Sequence, residues 1–287
     1  MVNPSRLVPP DDVLATDEEF YLLNELIERS FGISFPEHMR DALFARLRPR
    51  VRALHLTSFH EYYLRLVANL GSELDQLAVL VTNNETYFFR GRNHFEALTG
   101  EGIELLEPGL VLPGTLRILV AGCSSGEEAY TLSFYLTDRR RDRGGPRAHI
   151  DAFDVDSVRV AMCNHRVYRP RSLRDTTEAE VSRYLRSVHE DHWEVKPEYA
   201  QGLAFTTGNI MKRESFQSYL PYDVVFCRNV LIYFSQDAIR RAIENFASVL
   251  RPGGLLFLGH SESIAGLSSS FEMVRVSPCI VYRRLPG

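Results

Sequence analysis

Apolar residues recur at helical spacing up to about residue 80, and in short extended runs after that. Phe20, Leu23, Leu26, Ile27 and Phe31 share one helical face. Thr16 with Glu19 supplies a capping box before them, and Gly32 supplies the stop. Met39, Leu43, Phe44, Leu47, Val51 and Leu54 keep the same period, with Pro49 predicted to break or kink the helix. Ser58 and Glu61 form a second capping box ahead of Tyr62, Tyr63, Leu66 and Val67. Ser72 opens a further helix through Leu74, Leu77, Ala78 and Val81. Residues 1–15 read as a loose tail. The pattern predicts an all-α N-terminal domain over residues 1–85.

The period then changes. RILVAG (117–122) is a short apolar run ending in glycine, followed by a helix from Glu127 to about Arg143. HIDAFDVD (149–156) is a second strand that ends in acid. DVVFCRN (223–229) is a third, followed by a helix from about Gln236 to Leu250. RPGG (251–254) reads as a turn, LLFLG (255–259) as a fourth strand, and residues 271–285 as a last extended pair. Strands alternating with helices predict an α/β domain with a parallel, doubly wound sheet over residues 90–287. Residues 166–208 break the alternation with a helix near 178–188 and two short extended pieces around Trp193, and so read as an inserted subdomain.

Composition changes this picture little. The 287 residues are 45% hydrophobic and 24% charged, as in globular chains of two domains. The net charge of −4 gives no field for nucleic acid. Cys123, Cys163, Cys227 and Cys279 are dispersed and form no C-x-x-C pair, so neither a disulfide frame nor a metal site is expected. No apolar run approaches the roughly 20 residues that span a bilayer. The first dozen residues lack the core of a signal peptide. A cytoplasmic protein without membrane insertion is expected.

The candidate chemistry begins at AGCSSGEEAYTLS (121–133). Gly122-Cys123-Ser124-Ser125-Gly126 fits the G-x-S-x-G elbow of a serine hydrolase and equally a glycine-rich cofactor loop. Position favours the loop, because the elbow of a hydrolase comes late in its sheet and RILVAG is the first strand here. Asp154, at the tip of the second strand, is placed to accept ribose hydroxyls. His260 lies late enough to serve a triad, so the hydrolase stays open. The helix after the loop starts with Glu127-Glu128. Two carboxylates there repel a phosphate and attract a cation, which favours S-adenosylmethionine over a dinucleotide. They also suit plain helix capping.

Four segments carry a resemblance: TNNETYFFR (82–90), AGCSSGEEAY (121–130), FDVD (153–156) with NHRVYRP (164–170), and FCRNVLIYF (226–234) continued by LRPGGLLFLGHSES (250–263). Together they resemble the chemotaxis receptor methyltransferases, the CheR family, over roughly residues 15–285. The resemblance implies a Rossmann-like S-adenosylmethionine domain with a small inserted β-subdomain behind an all-α domain. It implies methyl transfer to receptor glutamates, giving glutamate methyl ester and S-adenosylhomocysteine, with no metal. It also implies site roles. Asn84, Thr86 and Arg90 reach over the cofactor, and Glu127 binds its methionine side. Asp154 takes the ribose, and Asn209 and Ile210 frame the adenine. Arg228 and Asn229 sit at the next strand end, and Tyr233 flanks the methyl.

A glutamate carboxylate is already ionised at neutral pH, so this reaction needs placement and exclusion of water, not a general base. Arg90 can grip a carboxylate and Tyr233 can pack beside a sulfonium, so these are the positioning residues and no acid–base pair is assigned. His260 and Glu262 read as supports of the fold. A non-catalytic cofactor-sensing adaptor is the rival reading, and the intact Arg90, Asp154 and Tyr233 oppose it. Arg40, Arg46, Arg48, Arg50 and Arg52 form a basic cluster, either a solvated helix face or, as the resemblance implies, the grip on receptor helices. RSVHEDHWEVKP (186–197) has no glycine, unlike the tethering loop of some members, so binding of a receptor-tail peptide is not expected.

Overall fold

The helical spacing of the N-terminal region is realised as α1 (Asp17–Phe31), α2 (Arg40–Ala53), α3 (Phe59–Ala68) and α4 (Ser72–Val81) in a computed structural model. The structure describes residues 15–68, 71–106, 109–110, 112–216 and 221–286. All but the last residue of the expected tail at 1–15 lies outside the described residues. α1 has the capping box on Thr16 and Glu19, and Gly32 closes it in the left-handed conformation at φ 80°. At the start of α3, Ser58 Oγ accepts the Glu61 N–H, but the Glu61 carboxylate reaches the Thr57 N–H instead of completing the box.

Pro49 does not end α2. The helix runs on to Ala53, with Leu43, Phe44, Leu47 and Val51 buried. A mid-helix proline costs about 3 kcal/mol, whereas each fully buried side chain of this kind contributes about 1.5–3 kcal/mol. Packing therefore overrides the local break. Phe44 sits between Phe20 and Phe59, at ring distances of 6.5 and 4.5 Å.

Two compact units result. One comprises the described residues up to Thr82 with Tyr233–Ala238, and the other Asn83–Ile232 with the residues from Ile239 onward. The later segment joins the helical unit through a bridge between Ile33 and Phe234 and a bond from the Ser34 N–H to the Tyr233 carbonyl at 2.9 Å.

The larger unit starts with α5 (Arg92–Ala97) and α6 (Ile103–Leu106). The chain then forms β1 (Thr115–Ala121), α7 (Glu127–Arg143), β2 (Arg147–Asp154) and α8 (Ser157–His165). Next come β3 (Val167–Tyr168), α9 (Glu178–Tyr184), β4 (Leu185–His189), β5 (His192–Val195) and β6 (Leu203–Thr207). It finishes with β7 (Tyr222–Cys227), α10 (Gln236–Val249), β8 (Leu250–Leu258), β9 (Phe271–Val276) and β10 (Cys279–Arg284). Seven strands form one sheet in the order β6-β2-β1-β7-β8-β10-β9. The pairs from β6 through β8 are parallel, and β10 and β9 add an antiparallel hairpin at the edge. The sheet is thus mixed, not wholly parallel. Its core joins Ile118, Val120, Ile150, Phe226 and Phe257 of the strands to Ala129, Leu132 and Leu136 of α7.

Three details differ from the sequence reading. β6 lies inside the span 166–208 yet pairs in parallel with β2, Ile150 opposite Leu203 through Asp154 opposite Thr207. It is a half-exposed edge strand, so its sequence lacks the apolar run of a central one. α9 stops at Tyr184, and Leu185–His189 forms a strand of the separate sheet β3-β5-β4. RPGG is a bulge within β8, where the register jumps from Tyr222 opposite Leu250 to Val224 opposite Leu255. The inserted segment packs on α7 through aromatic rings, Tyr184 of α9 lying stacked on Phe134 at 4.3 Å.

Candidate functional site

The loop after β1 is built for close backbone approach. Gly122 has φ 82°, and a Cβ there would stand 2.5 Å from Val230 Cγ2. The Gly122 and Cys123 N–H groups both bond the Phe153 carbonyl, which ties the loop to the end of β2. Ser124, although not a glycine, sits at φ 48°. Its N–H donates to Asp154 Oδ2 at 2.7 Å, which offsets the strain of that conformation.

Four side chains close a ring around this point. Asp154 Oδ1 accepts the Asp156 N–H at 2.9 Å. Asp156 Oδ2 accepts Asn84 Nδ2 at 2.7 Å, and Asn84 Oδ1 accepts the Ser124 hydroxyl at 3.4 Å. Asp156 also caps α8 by taking the Val158 and Arg159 N–H groups. Asn84 and Asp154, both expected in the site, are thus brought together. Asp156 was missed, although its place as N-cap before α8 was a legible signal. The Ser124 hydroxyl faces Asn84 while the His260 ring lies against His94 at 4.8 Å, so the serine–histidine contact of a hydrolase is not made.

Glu127 opens α7 and is 1% exposed. Its carboxylate accepts the hydroxyls of Ser125 and Ser172, each at 2.8 Å. Burial raises its pKa, and the two serine bonds oppose that shift. Burial likewise raises the pKa of Asp154, opposed by the backbone bonds. Among the described residues neither acid forms an ion pair with a basic side chain. Burial disfavours the ionised form of both, and a cationic ligand would favour it. Asn84, Thr86 and Glu127 line a cavity of about 540 Å³ together with Ser125, Arg159 and Ser172. Ser172 comes from the inserted segment, and nothing in its local pattern marked it.

Asp154, Asn209, Ile210, Arg90, Arg228 and Asn229 do not line that cavity. Asn209 Oδ1 accepts the Met211 N–H, and the Ile210 carbonyl accepts Asn245 Nδ2. Their turn begins where the Gly208 N–H bonds the Asp154 carbonyl at 2.9 Å. Arg90 donates to the Glu85 carbonyl at 2.6 Å. Arg228, expected beside the cofactor, is enclosed by groups of its own unit. Its side chain is 2% exposed and enclosed between Glu128 Oε2 and the Arg90 carbonyl, each at 2.7 Å, with the Phe95 ring 5.2 Å away. It braces the chain at Arg90 from within. Tyr233 belongs to the helical unit.

The basic cluster on α2 is largely built into that helical unit. Arg50 grips Glu73 with two bonds of 2.8 Å, and Glu73 is buried. Arg46 donates to the Val81 carbonyl at 2.9 Å, and Arg40 pairs with Asp17 and the Ala15 carbonyl. Arg48 lies over the Phe59 ring, and Arg52 is exposed. Arg40, Arg46 and Arg50 of the expected receptor-facing cluster are thus each engaged by acids or carbonyls of their own unit.

No helix among the described residues is long and apolar enough to cross a membrane. Residues 18–82 match the family model for the CheR methyltransferase all-alpha domain, and residues 84–280 match that for the CheR methyltransferase SAM binding domain. Chemotaxis protein methyltransferase 2 of Vibrio cholerae is 32% identical over 270 residues, covering 92% of each chain. The chemotaxis protein methyltransferase of Escherichia coli is 32% identical over 262 residues, covering 90% of this chain and 88% of its own. With its all-α segment, its S-adenosylmethionine-binding domain and relatives that align along nearly their whole length, the chain belongs to the CheR methyltransferase family and is an S-adenosylmethionine-dependent methyltransferase.

Proposed function

We propose that this protein methylates side-chain carboxylates of glutamates on chemoreceptor helices. The observation that carries this is the end-to-end match to chemotaxis protein methyltransferases, through both the all-α and the S-adenosylmethionine-binding segments. The residues present suit the cofactor. Glu127 and Asp154 are buried acids held by hydroxyl and N–H donors and, among the described residues, by no ion pair with a basic side chain, an arrangement that favours an ammonium or sulfonium over a phosphate. Bound S-adenosylmethionine supplies an electrophilic methyl on sulfur.

Glu127 holds the methionine end, with Asn84 and Thr86 beside it. Asp154 takes the ribose, Asn209 and Ile210 frame the adenine, and Asn229 completes the pocket. Arg228 acts by bracing. One nitrogen of Arg90 is fixed on the Glu85 carbonyl, and a guanidinium has five N–H donors, so others can orient the incoming carboxylate. With the cofactor bound, its methyl would pass from sulfur to a carboxylate oxygen, the S–CH3 bond being exchanged for an O–CH3 bond and the carboxylate's negative charge cancelling the sulfonium's positive one. No proton moves, and burial of these opposite charges before reaction favours their mutual loss. Receptor docking falls to the basic cluster of α2, in which Arg48 is half-buried and Arg52 is exposed.

The test uses methyl-labelled S-adenosylmethionine and receptor-containing membranes, followed by base. Volatile labelled methanol is expected from a carboxyl methyl ester. Label that survives base means another acceptor atom and refutes the glutamate reading.

A further inference from the structure

Glu262, read from the sequence only as a support of the fold, accepts four backbone hydrogen bonds on its carboxylate. Oε1 accepts the N–H groups of Val230 at 2.9 Å and Leu231 at 2.7 Å. Oε2 accepts those of Asn229 at 2.9 Å and Gly259 at 2.6 Å. Three of these donors are consecutive residues of the turn that leaves β7. Consecutive N–H groups pointing one way form an anion-binding concavity. Here the anion is supplied by the chain itself, from the turn that leaves β8.

Two further features show the fit. Asn229 sits at φ 59°, a left-handed conformation that needs support from its surroundings. A Cβ on Gly259 would stand 2.7 Å from Glu262 Oε2 and 3.0 Å from both the N and Nδ2 of Asn229. Only glycine lets the two turns approach so closely. Aspartate is one methylene too short to span the same gap. Glutamine keeps one acceptor oxygen and turns its amide donors toward two N–H groups.

We propose that Glu262 is a positioning residue of the cofactor site, holding the Asn229–Leu231 turn in its left-handed form so that the Asn229 side chain meets S-adenosylmethionine. This rests on the cofactor-binding role proposed above for Asn229. Glu262 itself touches neither cofactor nor substrate. Its contribution is to cofactor affinity, transmitted through one neighbour.

The experiment is calorimetric titration of S-adenosylmethionine into the full-length protein and its Glu262→Gln, Asn229→Ala and double variants, with circular dichroism to verify folding. Charged hydrogen bonds of this kind are strong enough that Glu262→Gln should weaken binding at least about tenfold. In the Asn229→Ala background the same change should cost less than about threefold, since the group being positioned is gone. A merely structural role predicts full multiplication of the two losses, and that result overturns the proposal. So does wild-type affinity in folded Glu262→Gln. If Glu262→Gln does not fold, Gly259→Ala takes its place, because it keeps the carboxylate and displaces it. It should then weaken binding similarly, and unchanged affinity overturns the proposal. Wild-type affinity in Asn229→Ala separates the other failure, since it removes Asn229 from the cofactor site whatever Glu262 does.

Discussion

Replacing His94 with leucine should remove much of the acid sensitivity of the larger unit. His94 is 3% exposed, between the edge of the Phe257 ring at 6.3 Å and the His260 ring at 4.8 Å. Its Nδ1 is buried and has no hydrogen-bond partner among the described residues. Burial, then the charge of Arg228, then His260 push its pKa down to about 3. The unfolded imidazole titrates at about 6.5. A base whose folded pKa is depressed is held neutral in the fold, so stability is lost as pH falls below the unfolded value and continues to fall down to the folded one. Between pH 7 and pH 5, with values of 6.5 and about 3, proton linkage gives a loss of about 2 kcal/mol. The assay is guanidinium unfolding at both pH values, followed by fluorescence of Trp193, which is the sole tryptophan and lies in β5. The wild type should lose about 2 kcal/mol more than His94→Leu over this interval. Parallel losses would refute the reasoning, as would a His94 resonance titrating near its ordinary value.

Two further outcomes follow from the same kind of argument. Glu127→Gln removes a buried charge placed for a cation, so the dissociation constant for S-adenosylmethionine should rise about tenfold or more by calorimetry. In the wild type, affinity should fall as pH falls through the raised carboxylate pKa, starting above the ordinary range near 4, and this fall should shrink in Glu127→Gln. On α2, Arg50→Ala strands the buried Glu73 carboxylate and should destabilise the helical unit by about 3 kcal/mol in thermal unfolding. Arg48→Ala with Arg52→Ala should leave cofactor affinity unchanged and raise KM for receptor. Equal loss of cofactor binding in that pair would exclude a docking role.

Much of this protein was written locally. The Thr16–Glu19 box and the Gly32 stop depend on interactions within a few residues, and such interactions leave a fixed spacing in the chain. Where long-range packing opposed a local signal, reading the sequence failed. Pro49 was overridden by the buried face of α2, and RPGG was absorbed into a strand because β7 lay beside it. β6 carried no apolar run because it lies at an edge. The site divides the same way. The residue types at Asn84, Glu127 and Asp154 were legible as chemistry. The enclosure of Arg228, the engagement of Arg46 and Arg50, and the grip of Glu262 on a turn some thirty residues earlier were not. Sequence alone determined which chemical groups the chain carries and the elements that bear them. Only the tertiary structure decided which of those groups face a ligand and which are consumed in holding others, because a hydrogen bond or ion pair depends on distance in space and leaves no period along the chain.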